Sequence, residues 1–324
     1  MIAASVIIVN WNTKEMLLSC IDSIYQHSSD IEFEIIVVDN DSTDGSQHAV
    51  KKQFPGVKLI CNDKNVGFAR ANNIGIRASS GRYVCLVNSD IEVLDNVIFK
   101  LVSFLESNAR VGIVGPKTVN PDFSTRYNCR ELPTVRNAFF QAIFFDTLFP
   151  SVKIFRGRTM YSFDYNQILP VEVLSGCFLV VRNEVIKKVG LLDENFFIYG
   201  EDVDWCKRIS DAGWEIFFYG DTQVIHYAGS SSSKKKIRFS LERLKSDLYF
   251  WKKHHSILER ALFISIIYLK FIIRLIGWTL VYVVKPSKSN VSNIMRSYLL
   301  QTIWLTWFRK YSPAEFLDFQ KIKN

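Results

Sequence analysis

No glycine-rich G-x-G-x-x-G segment follows the first apolar run. That run, Ser5-Val6-Ile7-Ile8-Val9, leads instead into Asn10-Trp11-Asn12-Thr13. A dinucleotide-type phosphate loop is thereby excluded, and no Walker sequence occurs. If phosphate is bound, a metal ion or basic side chains must carry its charge. The six cysteines (Cys20, Cys61, Cys85, Cys129, Cys177, Cys206) show no C-x-x-C spacing. Cys85 and Cys177 lie inside apolar runs, so reduced core thiols of a cytosol-facing protein are expected. No basic n-region precedes the first strand-like run, so no signal peptide is expected. Internal repeats and long low-complexity tracts are also absent.

What is present divides unevenly. The 324 residues are 48% hydrophobic, enough for one large domain and an appendage. From Ser230 onward there are 18 Lys and Arg against 5 Asp and Glu, whereas the first 229 residues hold 22 against 27. This asymmetry predicts a soluble domain over residues 1–229 and a basic helical tail over 230–324 that meets an anionic surface.

Four apolar, β-branched runs alternate with helix-like segments. They are Ser5–Val9, Glu34–Val38, Val57–Ile60 and Tyr83–Val87. Met16, Leu17, Cys20, Ile21 and Ile24 form a helical stripe, and Phe68–Ala78 reads as a helix ended by Gly81. Strands buried on both faces and separated by helices predict an α/β fold with a parallel sheet. Polar residues cluster just after these strands: Asn10 and Asn12, then Asp39–Gly45, then Asn62, Asn65 and Gly67, then Asn88-Ser89-Asp90. Ligands of open α/β sheets bind outside the carboxyl ends of the strands. Turn formation alone accounts for Asn, Asp and Gly there, but not for Asp39 and Asp90 ending two buried strands.

Further on, Glu201, Asp202 and Asp204 fall within four positions, directly after the aromatic run Phe196-Phe197-Ile198-Tyr199. Val203, Cys206 and Ile209 recur at helical spacing, with Gly213 as a stop, which places Asp202 in a first helical turn. Helix capping needs one acid; three crowded carboxylates point to chemistry, with Asp202 the candidate general base.

Taken in order, Val6–Asn12, Val37–Gly45, Asn65–Asn73, Asn88–Asp90, Leu174–Leu179, Gly200–Asp204 and His226–Ser230 resemble the family 2 glycosyltransferases, nearest their rhamnosyltransferase-like branch. The resemblance covers roughly residues 4–255. It implies a GT-A fold, a nucleotide-binding part at about 1–116 and an acceptor part at about 117–229. It also implies a nucleoside-diphosphate sugar donor and Mg²⁺ or Mn²⁺. Carried over by position, Asp39 would accept a hydrogen bond from a pyrimidine, with Asn65, Gly67 and Asn72 as further donor contacts. Asp90 and His226 would be metal ligands and Asp202 the base. Asn88 replaces the first acid of the family's D-x-D motif, and an amide oxygen binds a hard cation less strongly than a carboxylate. A base without a partner nucleophile favours single displacement, hence inversion.

The middle, 117–170, is aromatic, with Phe139, Phe140, Phe144, Phe145 and Phe149 close together; a lid, a membrane-facing loop and core packing are its alternative readings. Glu172–Val181 reads as a strand and Asn183–Val189 as a short helix. Ser230–Lys236 is a basic loop. Leu241, Leu244, Leu248 and Trp251 form a helical stripe flanked by Arg243, Lys245, Lys252 and Lys253, a pattern that favours an anionic membrane surface. Ala261–Val284 is long enough to span a bilayer, yet Lys270 and Arg274 lie near its middle. Such charges cost about 2.5–3.5 kcal/mol each at a bilayer centre on insertion scales, so this stretch and Ile294–Phe308 are expected to lie in the interface. The reading is an inverting transferase at the cytoplasmic membrane face, moving rhamnose from a thymidine-diphosphate donor to a lipid-linked saccharide. Its rivals are a sugar-phosphate nucleotidylyltransferase and a non-enzymatic membrane or nucleic-acid binder. The first lacks the basic loop it would need after Val9. A nucleic-acid partner is not expected, because basic residues would then interleave with exposed aromatics without an acidic crevice.

Overall fold

The computed structural model describes residues 2–155, 157–160, 163–227, 236–284 and 289–322. The basic loop expected at Ser230–Lys236 lies outside these residues except for Lys236, which opens a helix.

The strands are β1 (Ala4–Asn10), β2 (Phe33–Asp39), β3 (Lys58–Cys61), β4 (Tyr83–Asn88), β5 (Ile91–Val93) and β6 (Val111–Val119). They continue as β7 (Thr125–Arg126), β8 (Cys129–Arg130), β9 (Ile168–Pro170), β10 (Val173–Leu174), β11 (Phe178–Arg182) and β12 (Glu215–His226). The helices are α1 (Lys14–Gln26), α2 (Ser46–Gln53), α3 (Phe68–Arg77), α4 (Val97–Ser107), α5 (Val135–Ala142) and α6 (Phe145–Leu148). They continue as α7 (Asn183–Val189), α8 (Glu201–Asp211), α9 (Lys236–His254), α10 (Ile257–Val284), α11 (Ser289–Ile303) and α12 (Pro313–Ile322).

The chain forms two compact units: residues 1–132 with 159–231, and residues 133–158 with 232–324. In the first, the strands pair in the order β3-β2-β1-β4-β11-β6-β12-β5. β1 is parallel to β2 and β4, and β2 to β3, as the alternation of apolar runs and helices requires. β11 runs antiparallel between β4 and β6, and β6 is parallel to β12, so the sheet is mixed with a parallel majority at its core. The fold is the α/β GT-A type. Leu17, Cys20, Ile21 and Ile24 on α1 are fully buried against it, so the stripe legible in the sequence is the packing face.

Register brings the functional ends together. Asn10 pairs with Asp39, and Val9 with Asn88, so the carboxyl ends of β1, β2 and β4 finish side by side. The expected single strand Glu172–Val181 is instead two, β10 and β11, broken at Ser175-Gly176-Cys177. The break arises because the Gly176 N–H leaves the sheet and donates to Asp202 Oδ2 at 3.1 Å.

In the second unit α10 packs against α5, α9 and α11. The rings of Phe140, Phe145, Phe149 and Phe155 pack on one another at 4.9–6.1 Å between centroids, so part of the aromatic middle is core. Leu241, Leu244 and Trp251 of α9 are buried, and Trp251 stacks on Phe263 at 4.3 Å. The stripe that the sequence offered to a membrane surface is therefore turned inward.

Gly75 lets α3 lie close on the sheet: a Cβ there would collide with Cγ2 of the buried, β-branched Ile7 and press on Val38. Alanine favours a helix interior over glycine by about 1 kcal/mol, whereas overpacking costs about 1–3 kcal/mol. Gly75→Ala is therefore expected to lower stability in denaturant unfolding despite its better helix propensity. An unchanged or raised midpoint would show that α3 has room to shift.

Candidate active site

At the ends of β1 and β2, Asp39 is fully buried and accepts hydrogen bonds from Asn10 Nδ2 (2.7 Å), the Ser42 N–H (2.9 Å) and Gln47 Nε2 (2.7 Å). Thr13 Oγ1 donates to Asn10 Oδ1 at 2.7 Å and lies 2.8 Å from Ser89 Oγ, so a continuous polar chain runs from Asp39 to the turn carrying Asp90. Asn12 and Asp41 hold left-handed backbone (φ 54° and 64°) in the two facing loops. Non-glycine residues in that region cost of order 1–3 kcal/mol and cluster at functional sites.

Asn65 Oδ1 accepts the Gly67 N–H at 3.0 Å, so these two form one turn. Gly67 has φ +91°, and a Cβ on it would strike Phe197 O and the Phe197 ring. The Phe68 N–H donates to Phe197 O at 2.6 Å, which fastens this turn to the segment leading into α8. Asn72 is set apart from the turn: it is 1% exposed and donates to Phe68 O at 3.0 Å within α3.

β5 pairs antiparallel with β12, matching His226 to Ile91. This brings His226 Nε2 to 3.2 Å from Asp90 Oδ1. Burial disfavours the imidazolium, but hydrogen bonds to Asp90 and to the Cys177 thiol outweigh it and push the His226 pKa up to about 10. Asn88 Oδ1 is buried with no hydrogen-bond partner, two positions before Asp90. Among the described residues, no group of three or more His, Cys, Asp or Glu is arranged to hold a metal. The pair Asp90–His226, with the orphaned amide oxygen nearby in sequence, nevertheless suits a cation that completes its shell with substrate phosphate oxygens. Magnesium sites are commonly built from one or two carboxylates plus phosphates.

Two of the three acids of α8, Asp202 and Asp204, separate cleanly. Gly200, in left-handed backbone, is the N-cap and makes no side-chain cap bond; Asp202 Oδ1 takes the first-turn Val203 N–H, so capping accounts for at most one oxygen of the cluster. Asp204, fully buried, receives Arg208 Nε at 2.8 Å, while Arg208 also donates to Val189 O and Leu191 O. That pair is structural. Asp202 is differently placed: Oδ2 receives Arg130 Nη2 and the Gly176 N–H, both at 3.1 Å, and Oδ1 receives the Val203 N–H at 2.8 Å. Sequence reasoning passed over Arg130, which sits on the short strand β8 with no motif around it. Cys177, read as a core thiol, is buried but touches His226.

The turn Ser175-Gly176-Cys177 joins these parts. Gly176 holds Asp202, the Cys177 thiol holds His226, and Cys177 O accepts the Asn88 N–H at 2.9 Å. Three consecutive residues thus set the spacing of the candidate base and the candidate cation ligands.

Breaking one half of a buried ion pair costs about 3–5 kcal/mol because the other charge is left uncompensated. Arg208→Met is accordingly expected to destabilise the fold severely. Adding Asp204→Asn should recover part of that loss in chemical denaturation; strictly additive losses would mean that the two side chains act separately.

The sequence pattern described as Glycosyl transferase family 2 matches residues 5–189. The N-acetylglucosaminyl-diphospho-decaprenol L-rhamnosyltransferase of Mycobacterium tuberculosis is 28% identical over 239 residues, covering 68% of this chain and 75% of that protein. The dTDP-rhamnosyl transferase RfbF of Shigella flexneri is 27% identical over 203 residues, 62% of each chain. Among solved structures, the mannosyltransferase PcManGT from Pyrobaculum calidifontis, in complex with GDP-Man and Mn²⁺, superposes with a TM-score of 0.58 at 15% identity, covering 94% of this chain and 87% of that one. GalNAc-T7 with UDP, GalNAc and Mn²⁺ gives a TM-score of 0.53 at 17% identity, over 76% of this chain and 47% of that chain. These two likenesses concern the fold. With more than half of its length matched, the chain belongs to glycosyl transferase family 2 and is a glycosyltransferase.

Proposed function

We propose that this enzyme transfers rhamnose, with inversion, from dTDP-rhamnose to a lipid-linked saccharide at the cytoplasmic face of a membrane, using Mg²⁺ or Mn²⁺. The observation that carries the reaction type is the single carboxylate Asp202, tied through one three-residue turn to the Asp90–His226 pair. The donor and acceptor rest on the names of the relatives, one a dTDP-rhamnosyl transferase and one acting on a decaprenol-linked sugar.

In this reading Asp202 takes the proton of the acceptor hydroxyl as the hydroxyl oxygen bonds to the anomeric carbon and the dTDP oxygen departs. General-base assistance of this kind is worth roughly 10²–10⁴-fold. A carboxylate offers about four lone-pair positions, and three of those on Asp202 are taken, so Arg130 and Gly176 orient the group toward the one that remains. Asp90 and His226 would hold the divalent ion, with Asn88 Oδ1 the nearest further oxygen in sequence. What such an ion supplies when bound is neutralisation of charge building on the departing diphosphate. Asp39 would read the pyrimidine: Gln47 Nε2 already donates to its Oδ1 at 2.7 Å, the kind of bond a ring N–H would make on replacing it. The Asn65–Gly67 turn would line the donor pocket, with Asn72 supporting it from α3.

The deciding experiment is transfer and hydrolysis of a panel of nucleotide sugars with Mg²⁺ or Mn²⁺. Highest turnover on dTDP-rhamnose is expected; preference for another sugar or base would overturn the donor assignment.

Asp202→Asn should keep the fold and donor binding while lowering kcat by about 10²–10⁴-fold. Activity within about threefold of the parent would sink the base. Residues acting through one group are non-additive, so Arg130→Met should reduce kcat in the parent yet add little in an Asp202→Asn background. A full further loss there, or a rise in donor KM alone, would show that Arg130 works on the donor instead.

Asp90→Ala and His226→Ala should each raise the half-saturating Mn²⁺ concentration. Titrations that match the parent in both variants would remove the cation site from this location.

A further inference from the structure

Helix α10 is long and apolar enough to cross a membrane by length and composition, yet its two faces differ. Phe263, Ile267 and Phe271 are buried within their own unit. Arg274 shares that face and lies over the Phe144 ring at 3.4 Å, while Lys270 interacts electrostatically with Asp247 and Asp146. The opposite face carries Leu258, Leu262, Leu269, Ile272, Ile276, Leu280 and Val283, all exposed. With 3.6 residues per turn these seven fall on one stripe that runs the length of the helix. Lys270 and Arg274 thus face the protein, and the outer stripe is interrupted by the small polar residue Ser265, whose hydroxyl is spent on Ala261 O.

We infer that α10 lies flat in one leaflet of an anionic bilayer, stripe inward, and does not cross it. This rests on the membrane location proposed above and specifies the surface that makes it. Two observations select the occupant and its orientation. The unit that contains α10 holds 22 Lys and Arg against 6 Asp and Glu, while the remaining residues hold 18 against 26, so the net charge of the unit that carries the stripe complements acidic lipid headgroups. The inner face of α10 is covered by α5, α9 and α11. A crossing helix would have to draw these partners into the hydrocarbon, including α9 with Arg243, Lys245, Lys252 and Lys253. A helix in the interface plane immerses the stripe alone and leaves those charges in water.

Flotation of the full-length protein with vesicles of equal parts phosphatidylcholine and phosphatidylglycerol tests the surface without any catalytic readout. Ile276→Asp with Leu280→Asp, at two exposed positions, should weaken partitioning by about a hundredfold, while thermal unfolding and donor hydrolysis stay unchanged. Undiminished flotation would overturn the surface, and variants that float normally but pass from dimer to monomer would reassign the stripe to a second copy of this chain. Orientation is read separately, by labelling Ser256→Cys and Ser292→Cys on vesicle-bound protein with a membrane-impermeant maleimide and mapping the modified peptides. Both sites should react from outside; protection of only one would show that α10 crosses. Failure of sugar transfer with normal flotation would count against the proposed reaction and leave this surface standing.

Discussion

A single N–H that does not join the sheet organises the catalytic unit. Between β10 and β11 the Gly176 amide turns away from the ladder to Asp202, while Ser175 on one side still pairs with Asn128 and Cys177 on the other with Asn88. A buried donor must find an acceptor, so the interruption and the carboxylate's position are one constraint. Cys177 then faces His226, and its carbonyl returns to the sheet through Asn88. The Asp90 turn, the end of β12 and the start of α8 come from distant parts of the sequence, yet this turn gives them a common reference.

The polar chain from Asp39 through Asn10 and Thr13 to Ser89 does the same work on the other side of the crevice. Its members end adjacent parallel strands in register, so they are rigid by virtue of the sheet. A site built from strand ends and one broken strand leaves few soft positions near the chemistry. The left-handed backbone at Asn12, Asp41 and Tyr199 lies in the loops that border it.

Much of this was legible in residues 4–90, where β-branched runs and helical stripes announce a parallel sheet and Asp39 and Asp90 stand at its edge. Asp202 was legible as one of three acids, but its difference from Asp204 was not. Both lie in one helical turn, and it is their partners that tell them apart: Arg208, four residues on, for Asp204, and Arg130, seventy-two residues back, with the Gly176 N–H for Asp202. Arg130 carried no signal because its significance comes wholly from a long-range contact. The break at Gly176 was hidden by the apolar residues on either side, which read as one strand. In the tail, periodicity identified helices but could not say which stripe would be buried: that of α9 faces inward and that of α10 outward. Burial of a stripe depends on what is available to cover it, and that information is non-local.

The separation of residues 133–158 from the helices with which they fold has a bearing on biogenesis. Phe144 leaves the ribosome well before Arg274, its partner across α10, which is 130 positions further along the chain. At bacterial-type synthesis rates of about 5–20 residues per second, the aromatic segment waits on the order of ten seconds for its cover. During that interval β9 to β12 of the catalytic sheet are synthesised, while the Phe144 ring still lacks the Arg274 guanidinium that lies over it. Nascent chains in this state are sticky, and ribosomes that translate close to a membrane or a holdase would shorten their exposure.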